Sequence, residues 1–337
     1  MKGMQIRENL EKREREILSP YACHSTDSKG RDRAEEECDI RPVFQRDRDR
    51  ILHSKSFRRL KDKTQVFLTP EGDHYRTRLT HTLEVSQNAR TIAKALRLNE
   101  ELVEAIALGH DLGHTPFGHA GERALNNICS LGFAHNEQSV RTVELLEKNG
   151  QGLNLTVEVR DGILHHQTKG NPSTLEGRVV RYSDKIAYIH HDMDDAIRGG
   201  ILKETDVPKE IGEVIGYNSG EWIDHFIHDI VSNSYEKNCI VMSEPVAEAM
   251  GRLRQFMFEH VYTNPKAKSE EGKAVMLVET LFGYFCKNKD KLPEEMLMLL
   301  ERGEPLERVV CDHISAMTDR YAIAKFEEIF VPASWHG

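Results

Sequence analysis

Apolar residues in this chain recur at steps of three and four far more often than at steps of two. Val85, Ala89, Ile92, Ala93 and Leu96 form one such series, which lies along a single face of a 3.6-residue helix. Asn99 is placed to cap a following helix, with Glu100 and Glu101 at its positive end. That helix runs through Leu102, Val103, Ile106 and Leu108 and is expected to stop between Gly113 and Pro116. Two short helices are expected over 121–129 and 136–148, a loop over 168–177 and a long helix over 178–198. In the long helix Ile186, Ile189, Met193 and Ile197 make the apolar stripe, and Asp184, Tyr188, Asp192 and Asp195 share another side. Residues 205–337 repeat the helical pattern, as in Val246–Val261 and Val275–Phe285. The pattern predicts an all-α fold with at most a short β-hairpin around residues 64–76.

The 337 residues suffice for one large core or two smaller ones. No run of about 18 apolar residues exists, so no membrane span is expected. Residues 1–8 offer no apolar stretch for a secretory signal. The six cysteines are scattered without C-x-x-C spacing, which points to free thiols in a reducing cytoplasm rather than to zinc or a disulfide framework. Residues 19–40 have little to bury and are expected to be irregular and mobile. The net charge of −9 is uneven: between Arg41 and Lys63 nine Lys or Arg stand against three Asp. Such an island can focus an anion, although a lone charge run is usually a solvated face.

Chemistry concentrates in one constellation. His81 opens a helix, His110 and Asp111 are adjacent at the end of the next, and His114 and His119 lie in the turn Gly113-His114-Thr115-Pro116-Phe117-Gly118-His119. Asp184 lies inside the long helix. Imidazole nitrogens and carboxylate oxygens are ligands for Mn²⁺, Fe²⁺, Co²⁺, Ni²⁺ or Mg²⁺. Two His and two Asp on such an ion leave positions for a water and a phosphate oxygen. Each member alone has a duller explanation, as a cap or a solvated charge. Four histidines and Asp111 between positions 81 and 119 are harder to dismiss.

The order His81 … His110-Asp111 … Asp184 resembles the H…HD…D signature of the HD superfamily. Longer strings resemble the dGTPase-like deoxynucleoside-triphosphate (dNTP) triphosphohydrolases within it. They are Phe44–Ile51, Ser56–Phe67, Arg76–Val85, Gly109–Glu122, His135–Ser139 and Arg181–Tyr188. The resemblance runs from about residue 28 to 202. It implies an HD-domain helical bundle over 41–202, preceded by an arm and irregular segment (1–40) and followed by a C-terminal helical region packed on it (203–337).

The resemblance also implies roles. His81, His110, Asp111 and Asp184 match the metal ligands. Arg78 and Lys185 match residues that contact the substrate phosphates. Tyr188 and Asp192 match the pair that packs on and hydrogen-bonds the deoxyribose, and Gln65 falls in the stretch that reads the sugar. His119 matches the catalytic histidine and Glu122 its acidic partner, with His114 and His135 in support. His190 and His191 read as structural or peripheral, and His165 and His166 as buried or supporting residues. The implied reaction is hydrolysis of a dNTP to deoxynucleoside and inorganic triphosphate, with the 5′ oxygen leaving and protonated by His119. The resemblance further implies a homo-oligomer, with a nucleotide activator as a candidate partner; the basic island makes single-stranded nucleic acid another. The alternatives are another HD phosphohydrolase, either a phosphodiesterase or a 5′-nucleotidase, or a single-strand-binding module using the basic island. A Gly-Tyr-Pro extension of the cyclic-di-GMP type is absent.

Overall fold

The computed structural model describes residues 5–65, 76–262 and 270–332. It is all-α, as the periodicity requires. Its helices in chain order are α1 (Ile6–Ile17), α2 (Val43–Leu52), α3 (Lys55–Arg59), α4 (Arg78–Ala95), α5 (Glu100–Gly109), α6 (Gly118–Ile128), α7 (His135–Arg141), α8 (Val157–Leu164), α9 (Leu175–Arg198), α10 (Lys209–Ile215), α11 (Ser219–Ser234), α12 (Glu244–Met257), α13 (Glu271–Lys287), α14 (Glu294–Glu301), α15 (Leu306–Ser315) and α16 (Asp319–Phe330). Of the expected hairpin, the described residues include an isolated antiparallel bridge between Thr64 and Thr77. The rest of that expected hairpin, residues 66–75, lies outside the described residues. Among the described residues no helix is long and apolar enough to cross a membrane, and all six cysteines are free.

The chain forms two compact units, each assembled from three separate stretches: residues 1–53, 81–110 and 153–267 in the first, and 54–80, 111–152 and 268–337 in the second. In the first unit α5 is central, with α2, α8 and α9 packed on it. Its residues Leu102 to Gly109, apart from Glu104, are buried, the expected condition for a helix apolar nearly all round. Asn99 caps it, accepting from the backbone N–H groups of Glu101 and Leu102. Helices α5 and α8 approach through glycine: a Cβ on Gly162 would stand 2.4 Å from Ile106. The expected stripe Val85, Ala89, Ile92, Ala93 and Leu96 on α4 is buried.

The stretch at 19–40 is irregular but held. The Cys23 N–H donates to Glu176 (2.9 Å) and the Lys29 N–H to Glu158 (2.7 Å). Arg31 pairs with the buried Asp47. These carboxylates replace the apolar anchors the segment lacks.

The second unit has its own core. Helix α13 packs on α6, α15 and α16, burying Leu125, Phe133, Leu281, Phe285, Val309 and Ile314 among others.

Candidate metal centre and histidine cluster

Three expected ligands meet within the first unit. His81 lies in the first turn of α4, His110 directly follows α5, and Asp184 is in the middle of α9. Asp184 Oδ1 is 3.2 Å from His81 Nε2 and 3.8 Å from His110 Nε2, and the two rings are 5.5 Å apart. Donors in adjacent positions on an octahedral ion, at bonds of about 2.1 Å, lie about 3 Å apart, close to this spacing. His110 Nδ1 is 2.7 Å from the Ala107 carbonyl. A carbonyl only accepts, so Nδ1 carries the proton and Nε2 offers its lone pair to the centre. Burial alone would raise the Asp184 pKa. The His81 hydrogen bond and the nearby His110 and His166 rings outweigh it and hold the carboxyl well below the usual range. An ionised carboxylate with two imidazole nitrogens fits a divalent cation.

Two further histidines support this centre. His166 stands edge-on to His110 at 5.0 Å, with Nδ1 2.7 Å from the Ile163 carbonyl. His191, read from the sequence as structural or peripheral, is buried with its ring 4.9 Å from that of His81. Its Nδ1 is 3.3 Å from Glu84 Oε2 and its Nε2 3.2 Å from Asp192 Oδ1. Burial would lower its pKa, but Asp192 and Glu84 raise it to about 9. Two spacing signals were available in the sequence. Glu84 lies one turn after His81, and His191 adjoins Asp192.

The expected substrate residues of α9 lie at i, i+3 and i+7 spacing, on one side of the helix. Asp192 is buried against His191. Tyr188 is half-buried, its ring 6.2 Å from that of His191. Lys185 places its ammonium 5.5 Å above the Tyr182 ring. Burial, then Arg181 and Arg254, bring the Lys185 pKa down to about 8.

The second unit holds the remaining candidates, joined to the first set by the His110–Asp111 peptide bond. Asp111 Oδ2 accepts from Arg78 (2.8 Å), and its Oδ1 lies 3.4 Å from His114 Nε2. Arg78 is buried, and it also donates to the Gln65 carbonyl (3.4 Å). The structure thus places Arg78 on a carboxylate of the HD pair. The His114 ring stacks on His135 with centroids 3.9 Å apart, and His114 Nδ1 is buried with no hydrogen-bond partner among the described residues.

Glu122 Oε1 accepts from both the backbone N–H of His135 (2.9 Å) and its Nδ1–H (2.8 Å). Burial would raise the Glu122 pKa, but His135 outweighs it and brings the value down to about 2. Glu122 was expected to partner His119. Among the described residues no hydrogen bond joins the two, although their polar atoms lie within 4.8 Å along with a nitrogen of His114. His119 opens onto solvent, in the first turn of α6. Crowding on its inner side and then the Arg78 guanidinium lower its pKa. The same two causes hold His114 well below the ordinary histidine value.

Local geometry fixes this group. Gly113 donates its N–H to Ser139 Oγ (2.9 Å). Asp319, which the sequence did not single out, receives the N–H of Phe117 (2.9 Å) and both the N–H (3.0 Å) and hydroxyl (2.7 Å) of Thr64.

The basic island is largely neutralised by its own protein. Arg41 pairs with Asp49, Arg46 and Arg50 with Glu35, Arg48 with Glu101, and Lys55 with Glu295. Lys63 is buried.

Two family models match the chain, each over stretches that belong to both units. The model of the HD domain matches residues 78–189, and that of the phosphohydrolase-associated domain matches residues 240–328. The chain is 60% identical to a deoxyguanosinetriphosphate triphosphohydrolase-like protein of Caldanaerobacter subterraneus subsp. tengcongensis, over 98% of each chain. A protein of the same description from Desulfatibacillum aliphaticivorans is 49% identical, over 98% of this chain and 99% of its own. Among solved structures, a phosphohydrolase from Bacteroides thetaiotaomicron shares the fold. Its TM-score is 0.53 at 16% identity, with 84% of this chain and 69% of that one covered.

Proposed function

We propose that this chain, which belongs to the family of deoxyguanosinetriphosphate triphosphohydrolase-like proteins built on an HD domain, hydrolyses deoxynucleoside triphosphates to deoxynucleoside and inorganic triphosphate. The observation that carries the reading is the convergence of His81 and His110 on Asp184, with Asp111 next in the chain. These four residues would hold one divalent ion, which supplies Lewis acidity towards phosphate oxygens and water when bound.

The protein's own groups do the rest. Water attacks the α-phosphorus, the bond to the 5′ oxygen breaks, and His119 gives that oxygen a proton. In the free protein the His119 pKa is depressed, in part by Arg78. A bound triphosphate opposes that influence and returns the ring towards protonation near neutrality. His114 and His135, stacked and backed by ionised Glu122, orient the surroundings of His119. Arg78 fixes the Asp111 carboxylate. Lys185, still mostly protonated at pH 7 with a pKa of about 8, offsets phosphate charge. Asp192, held against His191, would accept a sugar hydroxyl, with Tyr188 one turn away. A homo-oligomer and activation by a second nucleotide belong to the same proposal.

The test is a product assay. The purified protein with Mn²⁺ or Mg²⁺ receives each dNTP singly and then all four together, and nucleoside and inorganic triphosphate are scored. Triphosphate from single nucleotides supports the reading, and triphosphate only from the mixture adds activation by a second nucleotide. Absence of triphosphate throughout would transfer the site to phosphodiester or monophosphate substrates.

A further inference from the structure

The second unit encloses a cavity of about 380 Å³ that includes none of the residues assigned above. That volume suits a small molecule. Its charged groups are unevenly matched. Lys55 is paired with Glu295 (3.2 Å), and Glu147 is occupied by the N–H groups of Lys55 and Ser56 at the start of α3. Arg59 lines the cavity with no carboxylate partner among the described residues. Lys63 is buried, and two of its three N–H donors are taken by the carbonyls of His114 and Ser315. His313 is kept neutral near pH 7, its pKa brought down to about 4 by burial and then by Lys325 and Arg59. Leu112, Leu146, Met296 and Met317 supply an apolar wall, with Tyr321 beside them. Burial, then Arg78 and Arg59, bring the Lys63 pKa down to about 7, so an acid group set beside Arg59 and Lys63 would both meet the guanidinium and favour the charged form of the lysine. The thioether and leucine surface calls for a hydrocarbon body, not water.

We propose that this cavity is a binding site for a small organic anion, its phosphate or carboxylate held by Arg59 and Lys63 and its apolar body packed against Met296, Met317 and Tyr321. The site adjoins the turn carrying the HD pair. Leu112 follows Asp111 in the chain, and Lys63 grips the His114 carbonyl. A ligand here therefore touches the back of the segment that sets Asp111 and His114. The inference does not depend on the reaction proposed above.

The test uses the full chain labelled with methyl-¹³C methionine and titrated with phenyl phosphate, with benzoate, and with benzyl alcohol as the uncharged control. The Met296 and Met317 methyl signals, assigned through M296L and M317L, are expected to shift together and saturate below about 10 mM with at least one anion. Whichever anion binds tighter identifies the acid group. R59L should weaken that binding at least about tenfold, and A316F, whose ring fills the cavity, should remove it. Methionine methyls elsewhere report that each variant is folded. The proposal fails if neither anion gives saturable shifts at both methyls, if R59L and A316F both bind like the parent, or if benzyl alcohol binds as tightly as the anions.

Discussion

Replacing Glu122 by Gln removes a charge and keeps an acceptor oxygen, so it isolates what ionisation contributes to the His114–His135 stack. In the native protein the Glu122 pKa is lowered from the ordinary 4.5 to about 2. A folded value below the unfolded one means stability that is complete above pH 4.5 and is lost as pH falls towards 2. A shift of about 2.5 units corresponds to roughly 3 kcal/mol at neutral pH. The side chain is 16% exposed, so the discount for solvent is small and E122Q should cost about 2–3 kcal/mol between pH 6 and 8. By pH 3.5 the wild type should have surrendered about 1 kcal/mol of this advantage, and the two proteins should draw together. Urea unfolding followed by loss of helix signal, at pH 7 and pH 3.5, measures both quantities. Equal stability at pH 7, or a gap that does not narrow towards pH 3.5, would refute the assignment of Glu122 as an ionised partner of His135.

Other substitutions probe the remaining contacts. Asp184→Asn should lower Mn²⁺ affinity by more than about 100-fold in calorimetric titration while leaving the helix content intact. Gly113→Ala would put a Cβ 2.2 Å from the Ser139 nitrogen and 2.6 Å from the His135 carbonyl oxygen. It should therefore cost about 1–3 kcal/mol in unfolding and, by displacing the turn, about 100-fold in turnover. His191→Phe keeps the ring but leaves Asp192 and Glu84 without its nitrogens, so KM for the nucleotide should rise about tenfold with folding retained. Because the folded His191 pKa is raised to about 9, its stabilisation is complete below about pH 6.5 and fades as pH rises through 9. The variant should lack that alkaline loss.

The sequence made some of this legible and not the rest, for physical reasons. Periodicity located α4, α5 and α9 because an apolar stripe is a local property, and Asn99 was readable as a cap because a cap acts within three residues. The order of His81, His110, Asp111 and Asp184 was readable through the family motif, and the convergence of three of them on α4, α5 and α9 agrees with it. The partner of Glu122 was not readable. His119 is nearer in sequence, but the backbone N–H and ring of His135 arrive from the next helix. From the sequence His191 reads as structural or peripheral; the structure selects the first, through a carboxylate from another helix, Glu84, that spacing on its own helix does not register. Nor does periodicity say that units are built from interleaved stretches, since chain order carries no record of which distant helices share a core. Residues 19–40 looked loose because their anchors are the carboxylates Asp47, Glu158 and Glu176, which an apolar count does not register.

The most direct test of the central claim is hydrolysis of a single dNTP in ¹⁸O-labelled water, with the products resolved by mass spectrometry. Attack at the α-phosphorus with departure of the 5′ oxygen predicts unlabelled deoxynucleoside and inorganic triphosphate carrying one ¹⁸O. Labelled deoxynucleoside, or label appearing in nucleoside monophosphate or diphosphate instead, would contradict it.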